Sequence, residues 1–152
     1  MIQVRTGDGK MRVTWEQYAI ELAKVARCRS EDPYIKVGAC ALRHDNSIGG
    51  LGYNGPPPKV EIDWSNRDER RKRVIHAEIN ALRYVRPGEC SLIAVTLLPC
   101  NDCLKTISSY GIKKVIYADV YERDKSSMSL AEEFGVKLIF DFRREGYDQI
   151  CY

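Results

Sequence analysis

The sequence predicts an α/β fold, a three-layer α/β/α sandwich around a mixed sheet of about five strands. Three observations predict it: an amphipathic helix pattern near the N-terminus, a hairpin pattern after it, and strands that alternate with helices through the C-terminal part. A hairpin contributes antiparallel strands, whereas alternating strands and helices need crossovers and give a parallel portion. With 152 residues the chain can bury a sizeable core, so we expect a single domain over 1–152.

The first half of the chain is predicted to supply one helix and one hairpin. Thr14 and Gln17 have the spacing of a capping box, and apolar residues then recur at helical intervals, which predicts a helix over roughly 14–28. The segment 36–54 has two apolar runs around a His-Asp-Asn-Ser turn, which predicts a β-hairpin. The polar segment 55–73 opens with three prolines, so we expect a long loop there.

The second half alternates helices and strands. The run VIHAEINALRYV (74–85) places Ile75, Ile79 and Leu82 on one face, which predicts a helix. The run SLIAVTLL (91–98) is continuously apolar and β-rich, as in a buried central strand. A helix then begins at Pro99 and ends at Gly111. The remaining segments are predicted to be a strand, a short helix and a strand, at 113–120, 126–135 and 136–142.

The charge distribution limits the classes of partner. The net charge of +3 comes from 67–73, which holds five basic and two acidic residues, while the rest of the chain is balanced. A nucleic-acid-binding protein would be expected to have a broader basic surface. No run approaches the roughly 18 apolar residues that span a membrane. The N-terminal residues lack the apolar stretch of a signal peptide. We therefore expect a cytoplasmic protein that binds neither nucleic acid nor membrane.

Two cysteines and a histidine form the most informative pattern. Cys100 and Cys103 are three residues apart at the start of a predicted helix, so their side chains share a face. The positive end of the helix dipole favours the thiolate form that binds metals. With His76 they form a set of one imidazole and two thiolates, which suits a tetrahedral Zn²⁺ whose fourth position is open to water. That incomplete protein shell is typical of catalytic zinc.

Glu78 lies two residues after His76 and is predicted to move protons. A carboxylate beside zinc-bound water can accept its proton and deliver it to the substrate. His-x-Glu followed by Pro-Cys-x-x-Cys is similar to the signature of the zinc deaminases. The alternatives are a redox cysteine pair, a structural zinc site with His44 as fourth ligand, and a buried histidine without a metal.

The other cysteines show no ligand spacing, so we expect one zinc per chain; they are Cys28, Cys40, Cys90 and Cys151. The apolar run around Cys40 predicts that this residue lies on a buried strand, where cysteine behaves as a small apolar side chain.

Taken with the flanking segments, these motifs resemble the deoxycytidylate (dCMP) deaminases of the cytidine deaminase-like superfamily. The resemblance runs from about Ala19 to Phe142 and rests on RSEDP (29–33), VGAC (37–40), GYNG (52–55), HAEINAL (76–82), PCNDC (99–103) and GIKKVIY (111–117). It implies that His76, Cys100 and Cys103 bind the catalytic zinc and that Glu78 shuttles protons. The implied reaction is the hydrolysis of dCMP to dUMP and ammonia.

The same resemblance implies roles in substrate binding. The backbone N–H of Ala77 would hold the pyrimidine carbonyl, and Asn54 would bond the deoxyribose 3′-hydroxyl. Arg29 and Ser30 are the preferred candidates for the phosphate. Arg123 is the next candidate, and Tyr121 would contact the base or the phosphate.

The family resemblance also implies a homohexamer that dCTP activates and dTTP inhibits, usually with Mg²⁺. We expect the regulatory nucleotide at Gly52, Gly55 and Lys59, because glycines permit close backbone approach to phosphates and the lysine offers charge. Three alternatives to dCMP deamination stay open. They are deamination of dCTP in addition to or instead of dCMP, deamination of tRNA or another nucleic acid, and a non-enzymatic structural zinc module.

Overall fold

A five-stranded mixed sheet organises the fold. The computed structural model describes residues 4–5, 7, 11–121 and 124–143. Its strands are β1 (Val4–Arg5), β2 (Met11–Arg12), β3 (Gly38–Arg43), β4 (Ile48–Tyr53), β5 (Cys90–Leu97), β6 (Lys114–Asp119) and β7 (Lys137–Phe140). The helices are α1 (Trp15–Arg27), α2 (Arg67–Arg73), α3 (Ala77–Ala81), α4 (Asn101–Ser109) and α5 (Ser127–Glu133).

The strand order in the sheet is β4-β3-β5-β6-β7. Strand β3 pairs antiparallel with β4 and β5, whereas β5, β6 and β7 pair in parallel. The hairpin and the parallel portion that the sequence predicts are therefore both confirmed. The short strands β1 and β2, which the sequence analysis does not predict, pair with each other outside this sheet.

Helices cover both faces of the sheet, so the predicted three-layer α/β/α sandwich is confirmed. Successive strand side chains point to opposite faces, and each face forms its own core. On one face, α1 packs on Cys40, Leu42, Leu92, Ala94 and Ile116. On the other, α3, α4 and α5 contribute to a core with Ala39, Ala41, Ile93, Val95 and Val115. Within the described residues, no helix combines the length and apolarity needed to cross a membrane.

Helix α1 begins with the predicted capping box. The Thr14 hydroxyl accepts a hydrogen bond from the Gln17 backbone N at 3.2 Å, and the Gln17 side chain accepts one from the Thr14 N at 3.0 Å. The buried Lys24 Nζ donates to Asp141 Oδ2 at 3.2 Å, which ties the helix to the segment after β7. Cys40 is fully buried as predicted, and Cys28, at the C-terminal cap of α1, is disulfide-bonded.

The predicted loop over 55–73 ends in a helix, so that prediction is wrong for α2. None of the seven residues of α2 is buried, and apolar periodicity therefore gives no sign of the helix. The Asn66 side chain caps it by accepting from the Glu69 N at 3.1 Å. Acidic residues in its first turn and basic residues in its last turn complement the helix dipole.

Helix α3 is confirmed but shorter than 74–85, and its buried face differs from the predicted one. Ala77, Glu78 and Ala81 are the buried residues of this five-residue helix. Of the predicted face, Ile79 is 37% exposed, Ile75 precedes the helix in an isolated bridge to the loop after β4, and only Leu82, the C-cap residue, is buried. The face that the helix buries is thus made of two alanines and a carboxylate rather than of isoleucines.

The small residues of α3 let it lie directly against β4. A Cβ atom at Gly52 would lie 2.6 Å from the Ala77 carbonyl oxygen and 2.8 Å from the Asn80 carbonyl carbon. A side chain at this position would therefore overlap the helix backbone. Gly52 allows this close packing, which sets the distance between the sheet and α3.

Candidate active site

His76, Cys100 and Cys103 converge between the starts of two helices. His76 is the N-cap residue of α3, Cys100 is the N-cap residue of α4, and Cys103 lies in the first turn of α4. Neither N-cap side chain makes the usual capping hydrogen bond to its own helix. A good cap would stabilise each helix by about 1 kcal/mol. The side chains of His76 and Cys100 therefore do not cap their own helices and instead contact each other.

The three donor atoms have the spacing of a tetrahedral metal site. His76 Nδ1 lies 3.2 Å from Cys103 Sγ and 3.6 Å from Cys100 Sγ, and all three atoms lie within 4.8 Å of one another. Zinc bonds of about 2.3 Å to sulfur and about 2.0 Å to nitrogen, at tetrahedral angles, place such atoms roughly 3.6 Å apart. One imidazole and two thiols therefore fit Zn²⁺ and leave one coordination position for water or substrate.

The hydrogen bonds among the three groups favour the thiolate form of Cys100. Hydrogen bonds from the Cys103 thiol and from His76 lower the pKa of Cys100 to about 4. The same contact with Cys100, together with burial, raises the pKa of Cys103. The hydrogen bond to Cys100 also raises the pKa of His76. Cys100 is consequently a thiolate at neutral pH, which is the form that coordinates zinc.

Glu78 lies beside these donors and is 4% exposed. Its burial raises the pKa of the carboxyl group above the ordinary value for glutamate. A carboxyl group whose pKa lies closer to neutral exchanges protons more readily at physiological pH. The position and the pKa of Glu78 both suit general acid–base chemistry.

A cavity of about 250 Å³ opens over this group. His76, Ala77, Glu78 and Cys100 form one side of it. The remaining lining residues in the described part of the chain are Asp32, Ile35, Val37, Asn54, Val74, Leu97, Leu98, Pro99, Asn101, Tyr121, Asp124 and Ser127. None of the described lining residues is lysine or arginine, so they favour a ligand that enters with an uncharged ring.

Ala77 and Asn54, which the sequence analysis assigns to substrate binding, both line the cavity. Ala77 is the first residue of α3, so its backbone N–H has no partner within the helix and can donate to a ligand. Asn54 is buried and lines the cavity. Tyr121, which is 51% exposed, lies in its wall.

The residues expected to bind the phosphate do not gather at this cavity. Arg29 is exposed and lines a different cavity. Ser30 is buried, and its hydroxyl donates to the backbone carbonyl oxygen of Asn54 at 2.9 Å. This bond helps to fix the position of Asn54. Arg123 lies outside the described residues. The assignment of these three residues to the phosphate therefore stays a prediction.

A second cavity, of about 560 Å³, contains the three residues predicted for a regulatory nucleotide. Gly52, Gly55 and Lys59 line it, together with Arg29 and Arg83. The structure explains the glycine at position 52 without a phosphate, because α3 packs directly against it. Among the described residues, an added Cβ at Gly55 would meet only a Tyr53 ring carbon, at 3.9 Å.

Sequence reasoning missed the polar residues that complete the first cavity. Asp32 lies within the quoted RSEDP motif, and an aspartate directly before a proline, a pair that favours turns, is the signal that could have drawn attention to it. Asn101 donates through Nδ2 to Ser126 Oγ at 3.0 Å at the cavity mouth. Asp124 lies in the β6–α5 connection and Ser127 is the first residue of α5, and neither carries a sequence signal of its own.

Comparison with known proteins agrees with this geometry. The family model for the cytidine and deoxycytidylate deaminase zinc-binding region matches residues 13–119. A deoxycytidylate deaminase from Pongo abelii is 35% identical over 138 residues, which cover 84% of this chain and 74% of that protein. The dCMP deaminase of cyanophage S-TIM5 in apo form has a TM-score of 0.70 at 27% identity, covering 83% of this chain and 96% of that one.

The cyanophage enzyme in complex with dCMP and dUMP has a TM-score of 0.63 at 28% identity, with 84% of this chain and 93% of that chain covered. The matched region contains the His-x-Glu and Cys-x-x-Cys residues that meet beneath the cavity. The chain therefore belongs to the cytidine and deoxycytidylate deaminase family of zinc-binding enzymes.

Proposed function

We propose that the protein catalyses the hydrolytic deamination of dCMP to dUMP and ammonia with one zinc ion per chain. The observation that carries the proposal is the convergence of His76, Cys100 and Cys103 beside the buried Glu78 at one cavity. Curated relatives at 35% identity are deoxycytidylate deaminases, which supports the choice of substrate within the family. We further propose that residues 1–152 form a single domain and that it works in the cytoplasm.

The residues of the chain divide the work as follows. Zinc held by His76, Cys100 and Cys103 would lower the pKa of water to about 7 and so make a nucleophile available at neutral pH. Ala77 N–H donates to the pyrimidine carbonyl and orients the ring. Glu78 takes a proton from the attacking water and gives it to N3 as the bond to C4 forms. Glu78 then takes the remaining proton from the oxygen now bound to C4 and gives it to the amino group; the C4=O bond forms as the C4–N bond breaks, and ammonia leaves.

The described lining of the first cavity favours a nucleotide with one phosphate over a nucleotide with three. It contains no lysine or arginine, and Asp32, Glu78 and Asp124 contribute carboxylates. Each additional phosphate of dCTP would bring further negative charge to this site. We therefore place dCMP ahead of dCTP, and both ahead of a nucleic-acid strand.

A substrate panel tests the proposal. The purified, zinc-loaded protein is offered dCMP, dCTP, deoxycytidine and CMP, and the loss of cytosine absorbance is followed with and without dCTP as activator. We expect the highest kcat/KM for dCMP. No turnover of any of the four compounds would refute the proposal. Faster turnover of dCTP or of deoxycytidine than of dCMP would show that dCMP is not the preferred substrate.

The second cavity is proposed as the regulatory site for dCTP and dTTP. Arg29, Lys59 and Arg83 give it three cations for a triphosphate, with Mg²⁺ as the expected counter-ion. Its lining includes Asn80 and Ala81 at the end of α3, whose first residues line the first cavity. A homohexamer remains part of this proposal. Sedimentation with and without dCTP would measure the assembly and show whether it depends on the nucleotide.

A further inference from the structure

Asn101 connects the start of α4 to another part of the wall of the first cavity. It is the first residue of α4 and lies between Cys100 and Cys103 in the sequence. Its amide Nδ2 donates a hydrogen bond to Ser126 Oγ at 3.0 Å, across 25 positions of the chain. Asn101 lines the cavity, and so does Ser127, the residue after Ser126. The bond therefore joins two parts of the wall that come from different elements.

The hydroxyl of Ser126 also holds the turn that precedes α5. Asp124 Oδ1 accepts hydrogen bonds from the Ser126 backbone N at 3.0 Å and from Ser126 Oγ at 2.7 Å. The Asp124 backbone N donates to the Tyr121 carbonyl oxygen at 3.0 Å. Tyr121 and Asp124 both line the first cavity. The turn thus carries two residues of the cavity wall, and Ser126 is the residue through which Asn101 reaches it.

The direction of these bonds follows from the number of protons. A serine hydroxyl has one proton to donate. Asp124 Oδ1 receives it, because this acceptor is charged and lies at 2.7 Å, whereas Asn101 Oδ1 is neutral and lies at 3.3 Å from Ser126 Oγ. The hydrogen bond from Ser126 also lowers the pKa of Asp124, so this acceptor is ionised at neutral pH. Asn101 must therefore supply its N–H to Ser126.

The contact with Asn101 distinguishes this turn from two others with the same motif. Ser126 is the N-cap residue of α5, yet its side chain makes no capping bond, although serine is favoured at that position for such a bond. The turns Asp45–Ser47 and Asp63–Ser65 have the same two bonds from serine to aspartate. Neither is part of the described lining of the first cavity. The Asp124 turn is the one that Asn101 connects to α4.

We propose that Asn101 is a positioning residue for the substrate, which holds the Asp124–Ser126 turn, and with it Tyr121, against the start of α4 so that the cavity wall is formed before the nucleotide enters. This inference rests on the proposed function. Without the bond, the turn would be displaced in part of the protein population, and the measured affinity would fall with the fraction that remains competent. The bond joins none of the groups assigned to the reaction, so we expect the loss in KM rather than in kcat.

A double-mutant cycle tests the inference. Asn101→Ala, Ser126→Ala and the double variant are compared with wild type, each loaded with one zinc per chain. We would measure KM and kcat for dCMP and, independently of turnover, the Kd of the product dUMP by calorimetry. Each single variant should raise KM and Kd about 3- to 10-fold, the effect of one hydrogen bond, with kcat within about twofold of wild type. The double variant should match Ser126→Ala within about twofold, because the bond is lost only once.

Ser65→Ala is the matched control. It removes the equivalent bond from Ser65 Oγ to Asp63 Oδ1, in a turn outside the described lining of the first cavity. We expect KM and Kd of the control to equal those of wild type. A rise in the control as large as that in Ser126→Ala would show that the loss of any such turn explains the effect, and it would overturn the inference.

The outcomes separate the inference from the proposed function. If both single variants bind dUMP like wild type, the inference is wrong, although dCMP deamination stands. Multiplied effects in the double variant would also overturn it, since the two residues would then act separately. If Asn101→Ala does not fold or loses zinc, the comparison of Ser126→Ala with the control decides. If wild type turns over no dCMP, the proposed function fails, and the inference fails with it.

Discussion

The substitution Gly52→Ala should show how closely the sheet positions the catalytic helix. An added Cβ would lie 2.6 Å from the Ala77 carbonyl oxygen, whereas ordinary contact begins at 3.4 Å. Helix α3 would have to move by roughly 1 Å, and Ala77 and Glu78 would move with it. A displacement of this size can lower the rate about 100-fold. The overpacking itself should cost about 1–3 kcal/mol of unfolding free energy.

The assay for Gly52→Ala separates misplacement from general destabilisation. We would measure kcat/KM for dCMP, the free energy of unfolding in urea, and the zinc content. Ile20→Val is the control, because Ile20 belongs to α1, which packs on the opposite face of the sheet, and its truncation should cost about 0.5–1.5 kcal/mol. We expect the control to keep its activity. A folded, zinc-loaded Gly52→Ala protein with wild-type kcat/KM would refute the reasoning.

Three other substitutions test separate parts of the structure. Glu78→Gln should keep zinc by metal analysis and lose activity about 10²- to 10⁴-fold, because the proton carrier is gone; full activity would remove Glu78 from the mechanism. Cys100→Ala should lose most of its bound zinc, and a wild-type zinc content would contradict the ligand assignment. Thr14→Ala should lower the unfolding free energy by about 1 kcal/mol with unchanged kcat/KM; equal stability in urea would show that the capping box contributes nothing.

The features that the sequence predicts well are those whose signal is local. The Thr14–Gln17 capping box needs only a three-residue spacing, and the structure contains both of its hydrogen bonds. Cys100 and Cys103 share a helical face for the same reason. Their meeting with His76 is a long-range contact, but the residue types are so selective for zinc that the chemistry could be inferred before the contact was seen.

The features that were missed depend on other signals. Helix α2 has no apolar face, and its cap at Asn66 and its charge order are weaker indications than periodicity. The buried face of α3 is made of Ala77, Glu78 and Ala81 because β4 approaches through glycine, which no pattern within α3 reveals. The pairing of Asp32 with Asn54 joins positions 22 residues apart and follows from how the loop before β3 meets the end of β4.

The most direct test of the account is the dependence of dCMP deamination on zinc. The protein would be stripped of metal with a chelator, dialysed, and titrated with Zn²⁺ while ammonia release from dCMP is measured. We expect no activity without zinc and a linear return of activity that reaches its plateau at one zinc per chain. Full deamination by the zinc-free protein would contradict the assignment of His76, Cys100 and Cys103 as the ligands of a catalytic metal.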